Sequence, residues 1–417
     1  MIRDLKPGPL NSCQVCSNPN LEVYLNLGHQ PLCDTLPDSH TLRQPEPTYP
    51  LRQVWCNECG LSQLDHVVPS DVVFHNAYPY RSGVTKELAD YQDSIAKEAI
   101  KQLNLEPRHL VIDVGSNDGT LLKGFQRRGI KVLGIEPTDI AKFAVSDGIP
   151  TIQDFFDKAV AEKIREMNGP AKLITATNVF AHVSALKSFL EGLQVLLDDD
   201  GVFLVENHYL IEILKTGQFD TVYHEHLRTY SLHSLVRLFK ECGFTVMDAR
   251  EVSRYGGNIR VYVGKGENRE VSPNVDSILA MEKAFGLFDK QVYEDFRLLA
   301  ENAKNDLLKL AIECKQNGHS FVGNSCPGRC ATLLNFAGFK PDLMPWIAEQ
   351  PMSLKLNRYL AGTHIPIVNN QRLIDEQPDF VVLLAWHYAE PIAHQLRRRG
   401  LKSKLVVPLP KLHILEI

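Results

Sequence analysis

The sequence lacks the features that mark fibrous, disordered and membrane-spanning proteins. Its 26 glycines and 24 prolines follow no collagen-like period, and charged residues make up only 23% of the 417 positions. No apolar run reaches the ~20 residues that a membrane-spanning helix needs, and the N-terminus has no apolar signal segment. The 45 basic residues are outnumbered by 50 acidic ones, so no positive field attracts a nucleic acid. We therefore expect a cytoplasmic protein that binds neither membranes nor nucleic acids.

Nine cysteines are present, and four of them form two Cys-x-x-Cys pairs, Cys13-Gln-Val-Cys16 and Cys56-Asn-Glu-Cys59. Such a pair lets two sulfurs converge on one metal ion, and two pairs complete a tetrahedral zinc site. Four cysteine ligands leave no position open for water, so we interpret the predicted zinc as structural. We place the zinc-binding domain at residues 1–75. This part has only short strand-like runs and many turns, so a bound metal is needed to stabilise its fold. Four thiols without a metal remain the alternative.

Helix-like and strand-like segments alternate through the rest of the chain, which predicts an α/β fold with parallel sheets. In the central part, strands are predicted at residues 109–114, 131–135, 173–176 and 201–206, with a final pair near 245–250 and 258–263. An amphipathic run from about 275 to 316 precedes a second α/β pattern, with strands predicted at 321–323, 365–368, 380–385 and 404–407. We predict a Rossmann-like core at residues 76–285 and a second Rossmann-like domain at residues 286–417.

A candidate cofactor site follows the first strand of the core. This strand ends in Asp113-Val-Gly115-Ser-Asn117-Asp118-Gly119, whose glycines let the backbone turn sharply against a ligand. Glu136 ends the next strand, where a carboxylate accepts the two hydroxyls of a ribose. The pattern fits a dinucleotide or S-adenosylmethionine. Asn117 and Asp118 favour S-adenosylmethionine, because a pyrophosphate needs bare backbone amides at that place.

Three further candidates follow later strands and face the same edge of the sheet. Phe155 could pack against the adenine of the cofactor, although its segment equally fits an ordinary helix start. Asn178 is a cofactor-binding candidate whose alternative role is that of a helix cap. His182 is a candidate for the reaction centre that could instead be a hydrogen-bonded core histidine.

A dense group of proton-transfer residues stands in the middle of the chain. The segment Tyr223-His224-Glu225-His226 places a phenol, a carboxylate and two imidazoles within four positions. Such density is typical of an active site. The spacing does not match the His-Glu-x-x-His helix of zinc proteases. A polar surface loop, or a second metal bound by His224, His226 and His233, remains open on these residues alone.

Taken together, these motifs resemble a known family, the S-adenosylmethionine-dependent sugar C-methyltransferases that methylate C3 of nucleotide-linked 4-keto-6-deoxy sugars. The resemblance rests on the four cysteines, the Asp-x-Gly-x-Asn-Asp-Gly loop, the Tyr-His-Glu-His segment and the run Gly256-Gly257-Asn258-Ile259-Arg260. It covers the whole chain. It implies a Rossmann-like methyltransferase core between a small N-terminal zinc-binding domain and a C-terminal Rossmann-like domain that binds the nucleotide sugar.

The resemblance also implies roles for individual residues. His226 is expected to be the base, and Tyr223 and Glu225 are expected to orient or polarise the sugar. His182, from its place at the sheet edge, stays a further catalytic candidate. A carbon nucleophile must first lose a proton, and C–H bonds are acidic only beside a carbonyl such as the 4-keto group. A neutral imidazole can remove that proton near its working pKa while a phenol stabilises the enolate oxygen.

A tyrosine from the segment after the zinc-binding domain is expected at the same site. We assign this role first to Tyr80 and second to Tyr78, which is also a substrate-binding candidate. Gly83 departs from the family pattern, which often has a second serine there, and the loop Gly323-Asn-Ser-Cys-Pro-Gly328 is an unusual form of the C-terminal glycine loop. The remaining substrate-binding candidates are His208, Asn258 and Arg260.

Two other functions share part of this pattern. An O- or N-methyltransferase of another small metabolite would use the same cofactor site without enolate chemistry. A zinc-ribbon module that binds RNA or protein would use the methyltransferase half only as a scaffold. The nucleotide of the expected sugar substrate, dTDP or GDP, stays open, and we expect the enzyme to be a monomer.

Overall fold

The computed structural model describes residues 2–75 and 78–416. The chain divides into two compact units. The first contains Met1–Glu22, Val54–Ile211 and Glu225–Phe288, and the second contains Val23–Gln53, Glu212–His224 and Asp289–Ile417. Residues 23–53 therefore belong with the C-terminal part of the chain, although cysteine pairs of the first unit flank them in sequence.

The strands of the described residues are, in chain order, β1 (Gly8–Pro9), β2 (Leu21–Gln30), β3 (Tyr49–Cys56), β4 (Ser62–Leu64), β5 (His66–Val67), β6 (Leu110–Val114), β7 (Lys131–Ile135), β8 (Thr151–Ile152), β9 (Ala171–Thr177), β10 (Leu197–His208), β11 (Arg228–Thr229), β12 (Phe244–Val252), β13 (Asn258–Lys265), β14 (Phe321–Asn324), β15 (Ile347–Glu349), β16 (Ile367–Asn369), β17 (Phe380–Leu383), β18 (Lys404–Val407) and β19 (His413–Leu415).

The helices are α1 (Ser70–Val73), α2 (Lys86–Gln102), α3 (Thr120–Gln126), α4 (Ala141–Ser146), α5 (Lys158–Asn168), α6 (Leu186–Leu196), α7 (Leu210–Thr216), α8 (Leu232–Glu241), α9 (Pro273–Phe285), α10 (Lys290–Gln316), α11 (Gly328–Phe336), α12 (Gln371–Glu376) and α13 (Ala389–Arg398). Several begin at side chains that cap the free amides of the first turn. Ser231 accepts a hydrogen bond from the amide of Ser234 at the start of α8, and Asp157 accepts one from Val160 at the start of α5.

In the described part of the first unit, seven strands form one sheet in the order β12-β13-β10-β9-β6-β7-β8. The strands from β10 to β8 are parallel, whereas β13 and β12 pair antiparallel. The strand order reverses between β6 and β9, and ligands of such sheets bind in the crevice at that point. The predicted alternation of strands and helices in the core is confirmed.

A buried apolar layer holds the helices on this sheet. Ile95 and Ala99 of α2 pack with Leu121 and Phe125 of α3, and Val111 of β6 lies in the same cluster. Burying a large aliphatic or aromatic side chain contributes about 1.5–3 kcal/mol. The loop after β6 therefore projects from a rigid base.

The cysteine-rich part of the first unit is small and depends on short strand pairs. β1 pairs antiparallel with β5, and β4 pairs antiparallel with β11, so that Gln63 stands opposite Arg228. The side chain of Gln63 also accepts a hydrogen bond of 2.9 Å from the amide of Gln14. The cysteine-rich part is thereby joined to the strand that follows the Tyr-His-Glu-His segment.

Across the described residues of the second unit, six strands form a sheet in the order β16-β15-β14-β17-β18-β19, which is parallel except for β19. The predicted second α/β pattern is thus present. The amphipathic run before it is divided into α9 and α10, because Gly286 ends α9 with a φ of 99° that favours glycine. None of the helices described here combines the length and apolar composition that crossing a bilayer requires.

Candidate active site

The four predicted zinc ligands come together in the first unit. The sulfur atoms of Cys13, Cys16, Cys56 and Cys59 all lie within 4.8 Å of one another. The Cys13–Cys59 and Cys16–Cys56 sulfur pairs are each 3.5 Å apart, close to the about 3.8 Å edge of a tetrahedral zinc–thiolate site. Hydrogen bonds from Cys13 and Cys59 hold the pKa of Cys56 below the ordinary thiol value. The donor set fits a structural zinc ion, which would tie the two cysteine pairs together.

The loop after β6 has a backbone conformation that requires glycine at two positions. Gly115 has a φ of 67°, and a Cβ atom there would lie 2.5 Å from a methyl group of Val179. Gly119 has a φ of 74° and precedes α3. These positions bring backbone amides close to the crevice without side chains in the way, which fits the binding of a nucleoside-containing cofactor.

The two acidic residues of this site are buried and differ in their contacts. Asp113 accepts a 2.6 Å hydrogen bond from Thr175, and burial together with the nearby charge of Glu136 raises its pKa to about 7. Glu136 accepts hydrogen bonds from the amides of Asn117 (3.0 Å) and Thr138 (2.9 Å), and burial raises its pKa. Glu136 thus holds the loop, while its remaining lone pairs suit ribose hydroxyls.

Asn117 and Asp118 bind the chain segment that carries the candidate tyrosines. The amide of Ser82 donates to Oδ1 of Asn117 (2.9 Å), and the amide of Gly83 donates to Oδ2 of Asp118 (2.9 Å). Asn117 also donates to the carbonyl oxygen of Tyr80 over 3.1 Å. These side chains, predicted as cofactor-binding, therefore join the cofactor loop to residues 80–83.

Phe155 and Asn178, the other two predicted cofactor-binding residues, differ in their surroundings. Phe155 has 43% of its side chain exposed. Asn178 follows β9 in the left-handed region with a φ of 56°, and its amide donates to the carbonyl oxygen of Glu206 over 2.7 Å. Its side chain accepts a 3.2 Å hydrogen bond from Asn258. Asn178 therefore stands at the sheet edge where the strand order reverses.

His226 lies in a cluster of imidazole rings. It is buried, and its ring centroid is 5.0 Å from that of His182 and 5.2 Å from that of His208. His182 stacks on Phe74 at 5.5 Å. Burial, together with the proximity of His226 and Arg228, lowers the pKa of His182 well below the usual histidine value. Both effects disfavour a positive charge on His182.

Tyr78 reaches the carboxylate next to His226. Its hydroxyl donates a 2.8 Å hydrogen bond to Oε2 of Glu225, which is itself buried. Tyr80, in contrast, is 41% exposed, and its hydroxyl lies 3.5 Å from the hydroxyl of Tyr255. Of the two candidate tyrosines, the structure joins Tyr78 to the carboxylate beside His226.

Tyr255 is a site residue that sequence reasoning missed. It adopts a φ of 53°, which is strained for an aromatic residue, and its ring lies 5.9 Å from that of His208. Burial and the neighbouring Tyr80 raise the pKa of Tyr255 well above the usual phenol value. The only signal in the sequence was its place directly before Gly256 and Gly257.

Asn258 and Arg260, predicted to bind substrate, belong to a buried polar network. Glu206 is fully buried and accepts hydrogen bonds from Tyr91 (2.7 Å), Asn258 (3.0 Å) and Arg260 (2.8 Å). Burial and the charge of Glu206 raise the pKa of Tyr91. Sequence reasoning missed Tyr91 and Glu206, because neither stands in a recognisable motif. The network connects the Gly-Gly-Asn-Ile-Arg run to Asn178.

The remaining residues of the Tyr-His-Glu-His segment lie in the second unit. Tyr223 is half-buried, and His224 is buried with Nε2 3.3 Å from the carbonyl oxygen of Tyr49. His233, considered for a second metal, lies in the first unit. Its Nδ1 is 2.5 Å from Oε2 of Glu282, which belongs to the same unit. A carboxylate partner is thus already present for His233.

Comparisons with known proteins show what the whole chain is similar to. Three family models match the chain: a "zinc binding domain" over residues 13–74, a "Methyltransferase domain" over 80–249 and a "C-methyltransferase C-terminal domain" over 253–410. The C-methyltransferase NovU of Streptomyces niveus is 30% identical over 411 residues, which cover 98% of this chain and 97% of that protein.

Solved methyltransferase structures resemble part of the chain. Magnesium protoporphyrin IX methyltransferase (ChlM) from Synechocystis PCC 6803 with bound SAM is 13% identical, with a TM-score of 0.33, and the match covers 43% of this chain and 79% of that one. A S-adenosylmethionine-dependent methyltransferase from Clostridium acetobutylicum ATCC 824 is 14% identical, with a TM-score of 0.34, over 43% of this chain and 92% of that one.

Proposed function

The chain belongs to the C-methyltransferase family, and we propose that it methylates C3 of a nucleotide-linked 4-keto-6-deoxy sugar through a base-generated enolate. It is an S-adenosylmethionine-dependent methyltransferase with a four-cysteine zinc site. The observation that carries it is the hydrogen bond from Tyr78 to Glu225 directly beside the buried His226.

We assign the removal of the C3 proton to His226. Its ring lies 5.0 Å from that of His182, whose pKa is held well below the usual histidine value. When His226 accepts a proton, it therefore meets no second positive charge from His182, which makes proton transfer less costly. A buried imidazole with such neighbours suits a general base near neutral pH.

The oxygen of the enolate needs hydrogen-bond donors. We assign this role to Tyr223 from the family resemblance and propose that Tyr78 acts with Glu225 to orient the sugar. The contact with Glu225 favours Tyr78 over Tyr80 for the tyrosine that reaches the site. Donors aimed at a developing oxyanion commonly contribute several kcal/mol to catalysis.

The cofactor, when bound, supplies an electrophilic methyl group on a sulfonium. We propose that Gly115 and Gly119 let the backbone approach it and that Glu136 accepts its ribose hydroxyls. Asn178 and Phe155 would border the nucleoside. Asp113, the remaining predicted cofactor residue, accepts a hydrogen bond from Thr175, its partner in the pairing of β6 with β9.

Three further residues were predicted to bind the substrate, and we propose different roles for them. His208 lies beside His226, so we retain it as a sugar-binding residue. For Asn258 and Arg260 we propose an indirect role, since both bind Glu206 and Asn258 also orients Asn178. They would shape the site without touching the sugar.

For the nucleotide we propose a crevice in the second unit. It is lined at the carboxyl ends of β14, β15 and β16 by Asn324, Glu349 and Asn370. Gln395 and Arg399 of the neighbouring chain segment also line it. Amide and guanidinium donors suit a base or a phosphate, and the carboxylate of Glu349 suits a ribose.

Mass spectrometry in D2O tests the proposal. The purified enzyme is incubated with dTDP- and GDP-linked 4-keto-6-deoxy sugars, with and without S-adenosylmethionine. We expect enzyme-dependent deuterium uptake at C3 and, once the cofactor is added, a product with one additional methyl group on carbon. If the cofactor binds but no sugar exchanges or gains a methyl group, the proposed substrate is wrong and an O- or N-methyltransferase of another metabolite takes its place.

A further inference from the structure

Helix α11 of the second unit holds the segment that leads into Tyr223. Nε and Nη2 of Arg329 donate to Oδ2 and Oδ1 of Asp220 over 2.8 and 2.6 Å. Nε1 of Trp386 donates to the same carboxylate over 2.8 Å. Arg329 retains only 6% of its exposure and Asp220 none, so this bidentate pair is shielded from water.

A second contact comes from the same face of α11. Thr332 stands three positions after Arg329, and its hydroxyl donates a 2.9 Å hydrogen bond to the carbonyl oxygen of Val222. Phe336, one turn further along, lies 5.7 Å from the ring of Phe219. Three residues of α11 therefore contact the chain within the four positions that precede Tyr223.

The contacts with α11 matter because no regular secondary structure holds the segment around Tyr223. The described residues 222–227 lie outside any helix or strand, between a short 3₁₀ turn at Phe219–Thr221 and β11. Their position therefore depends on individual contacts, among them the backbone hydrogen bond from Leu64 to Leu227 and the side-chain contacts of α11. A buried ion pair contributes little net stability but fixes geometry, because breaking it leaves an unpaired charge in the protein interior.

We propose that Arg329 and Thr332 are positioning residues that set the place of Tyr223 in the reaction. This inference rests on the proposed role of Tyr223 as donor to the enolate oxygen. A displacement of about 1 Å at a reacting group can lower the rate on the order of 100-fold.

The test compares Arg329→Lys and Thr332→Val with Leu333→Ala. Lysine cannot form the bidentate contact with Asp220, and valine has no donor for Val222. Leu333 is buried on the same helix, and its truncation destabilises the unit without removing either contact. We expect kcat to fall on the order of 10- to 100-fold in the first two variants with a smaller change in KM. The control should lose thermal stability and keep its kcat.

A second measurement does not depend on the substrate. Hydrogen–deuterium exchange of peptides covering residues 218–227 should become faster in Arg329→Lys and Thr332→Val and stay unchanged in Leu333→Ala. Wild-type exchange and kcat in both contact variants would overturn the inference, as would an equal loss of kcat in the control. If the wild type fails on every keto sugar, the proposed function fails, and the exchange data alone decide whether α11 positions Tyr223.

Discussion

The hydroxyl of Tyr78 donates a 2.8 Å hydrogen bond to Oε2 of Glu225, across 147 positions of sequence. This contact ties the segment after the zinc-binding cysteines to the residue directly before His226. The same segment is bound further along by Asn117 and Asp118 of the cofactor loop. Within the first unit, hydrogen bonds therefore connect the segment with the tyrosines both to the carboxylate beside the candidate base and to the cofactor loop.

We predict that Tyr78→Phe lowers kcat on the order of 10- to 100-fold, because the phenol that contacts Glu225 is lost while the ring remains. Tyr80→Phe is the matched control on the same segment. Its hydroxyl is exposed and lies at the limit of hydrogen-bonding distance from Tyr255, so we expect a change within about threefold. Steady-state kinetics of both variants decide the question, and a larger loss for Tyr80→Phe would reverse the assignment.

His226→Ala is expected to abolish both methyl transfer and deuterium uptake at C3, since we assign removal of the C3 proton to this imidazole. The affinity for S-adenosylmethionine should stay within about twofold, because the variant leaves the glycine loop unchanged. Isothermal titration calorimetry measures the affinity, and mass spectrometry measures the exchange. Lost cofactor binding in this variant would contradict the assigned role.

The motifs along the chain predicted the sheet of the core well, because alternation of buried strands and helices is a local property of sequence. The four cysteines were also grouped correctly, since two short pairs carry their own geometry. By contrast, residues 23–53 cluster with the C-terminal part of the chain. That arrangement depends on contacts such as Tyr24 with Tyr293, 5.0 Å apart, which no local pattern encodes.

The predicted site residues show the same division. Gly115 and Glu136 lie where the strand–turn pattern places them, at the carboxyl edge of the sheet. Asn117 and Asp118 stand in the same loop, yet their side chains bind the backbone of residues 80–83. The direction of a polar side chain depends on which partner arrives from elsewhere in the chain. For this reason sequence reasoning could name the loop but not the partner.

The zinc site is expected to matter for stability before chemistry. Cys56→Ser should lose the bound zinc and lower the unfolding temperature, because a structural zinc site contributes folding free energy directly. Cys242→Ser is the control, since this half-buried cysteine of the same unit is not among the four ligands. Metal content by mass spectrometry and thermal unfolding measure the effect. A stable, zinc-free and active Cys56→Ser variant would show that the site is not structural.

The raised pKa of Asp113 predicts a specific pH dependence of stability. Burial and the charge of Glu136 raise this pKa from 3.8 to about 7, so the folded state keeps a proton that the unfolded state has released. The unfolded state then binds fewer protons, and stability falls as pH rises through this window. Asp113→Asn cannot ionise. Its stability relative to the wild type should increase by on the order of 1 to 2 kcal/mol between about pH 5.5 and 7, then level off.

Urea unfolding of the cofactor-free proteins at several pH values measures this difference. Comparing the two proteins cancels the distant groups that titrate in the same range, the zinc-binding thiols included, whereas Glu136 is coupled to Asp113 and contributes to the measured difference. Thr175→Val is a useful companion, because removing the hydrogen bond to the carboxylate should raise the pKa of Asp113 further and move the window upward. A constant stability difference across the window would show that Asp113 is already ionised in the folded protein.

Gly83 gives the sharpest test of the connection between the cofactor loop and Tyr78. A Cβ atom at this position would lie 2.7 Å from Oγ1 of Thr120 and 2.8 Å from Oδ2 of Asp118, closer than real contacts allow. In Gly83→Ala, either residues 80–83 or the side chains of Thr120 and Asp118 must therefore shift. We expect kcat to fall on the order of tenfold, with a smaller change in cofactor affinity.

Two further variants separate this effect from a general loss of order. Ser82→Ala keeps the amide that binds Asn117 and should leave kcat near the wild-type value. Adding Thr120→Ala to Gly83→Ala removes the nearer of the two clashing atoms, so part of the lost kcat should return. Recovery in the double variant would tie the defect to the crowding at Thr120. If Gly83→Ala turns over as fast as the wild type, residues 80–83 do not transmit the state of the cofactor loop to Tyr78.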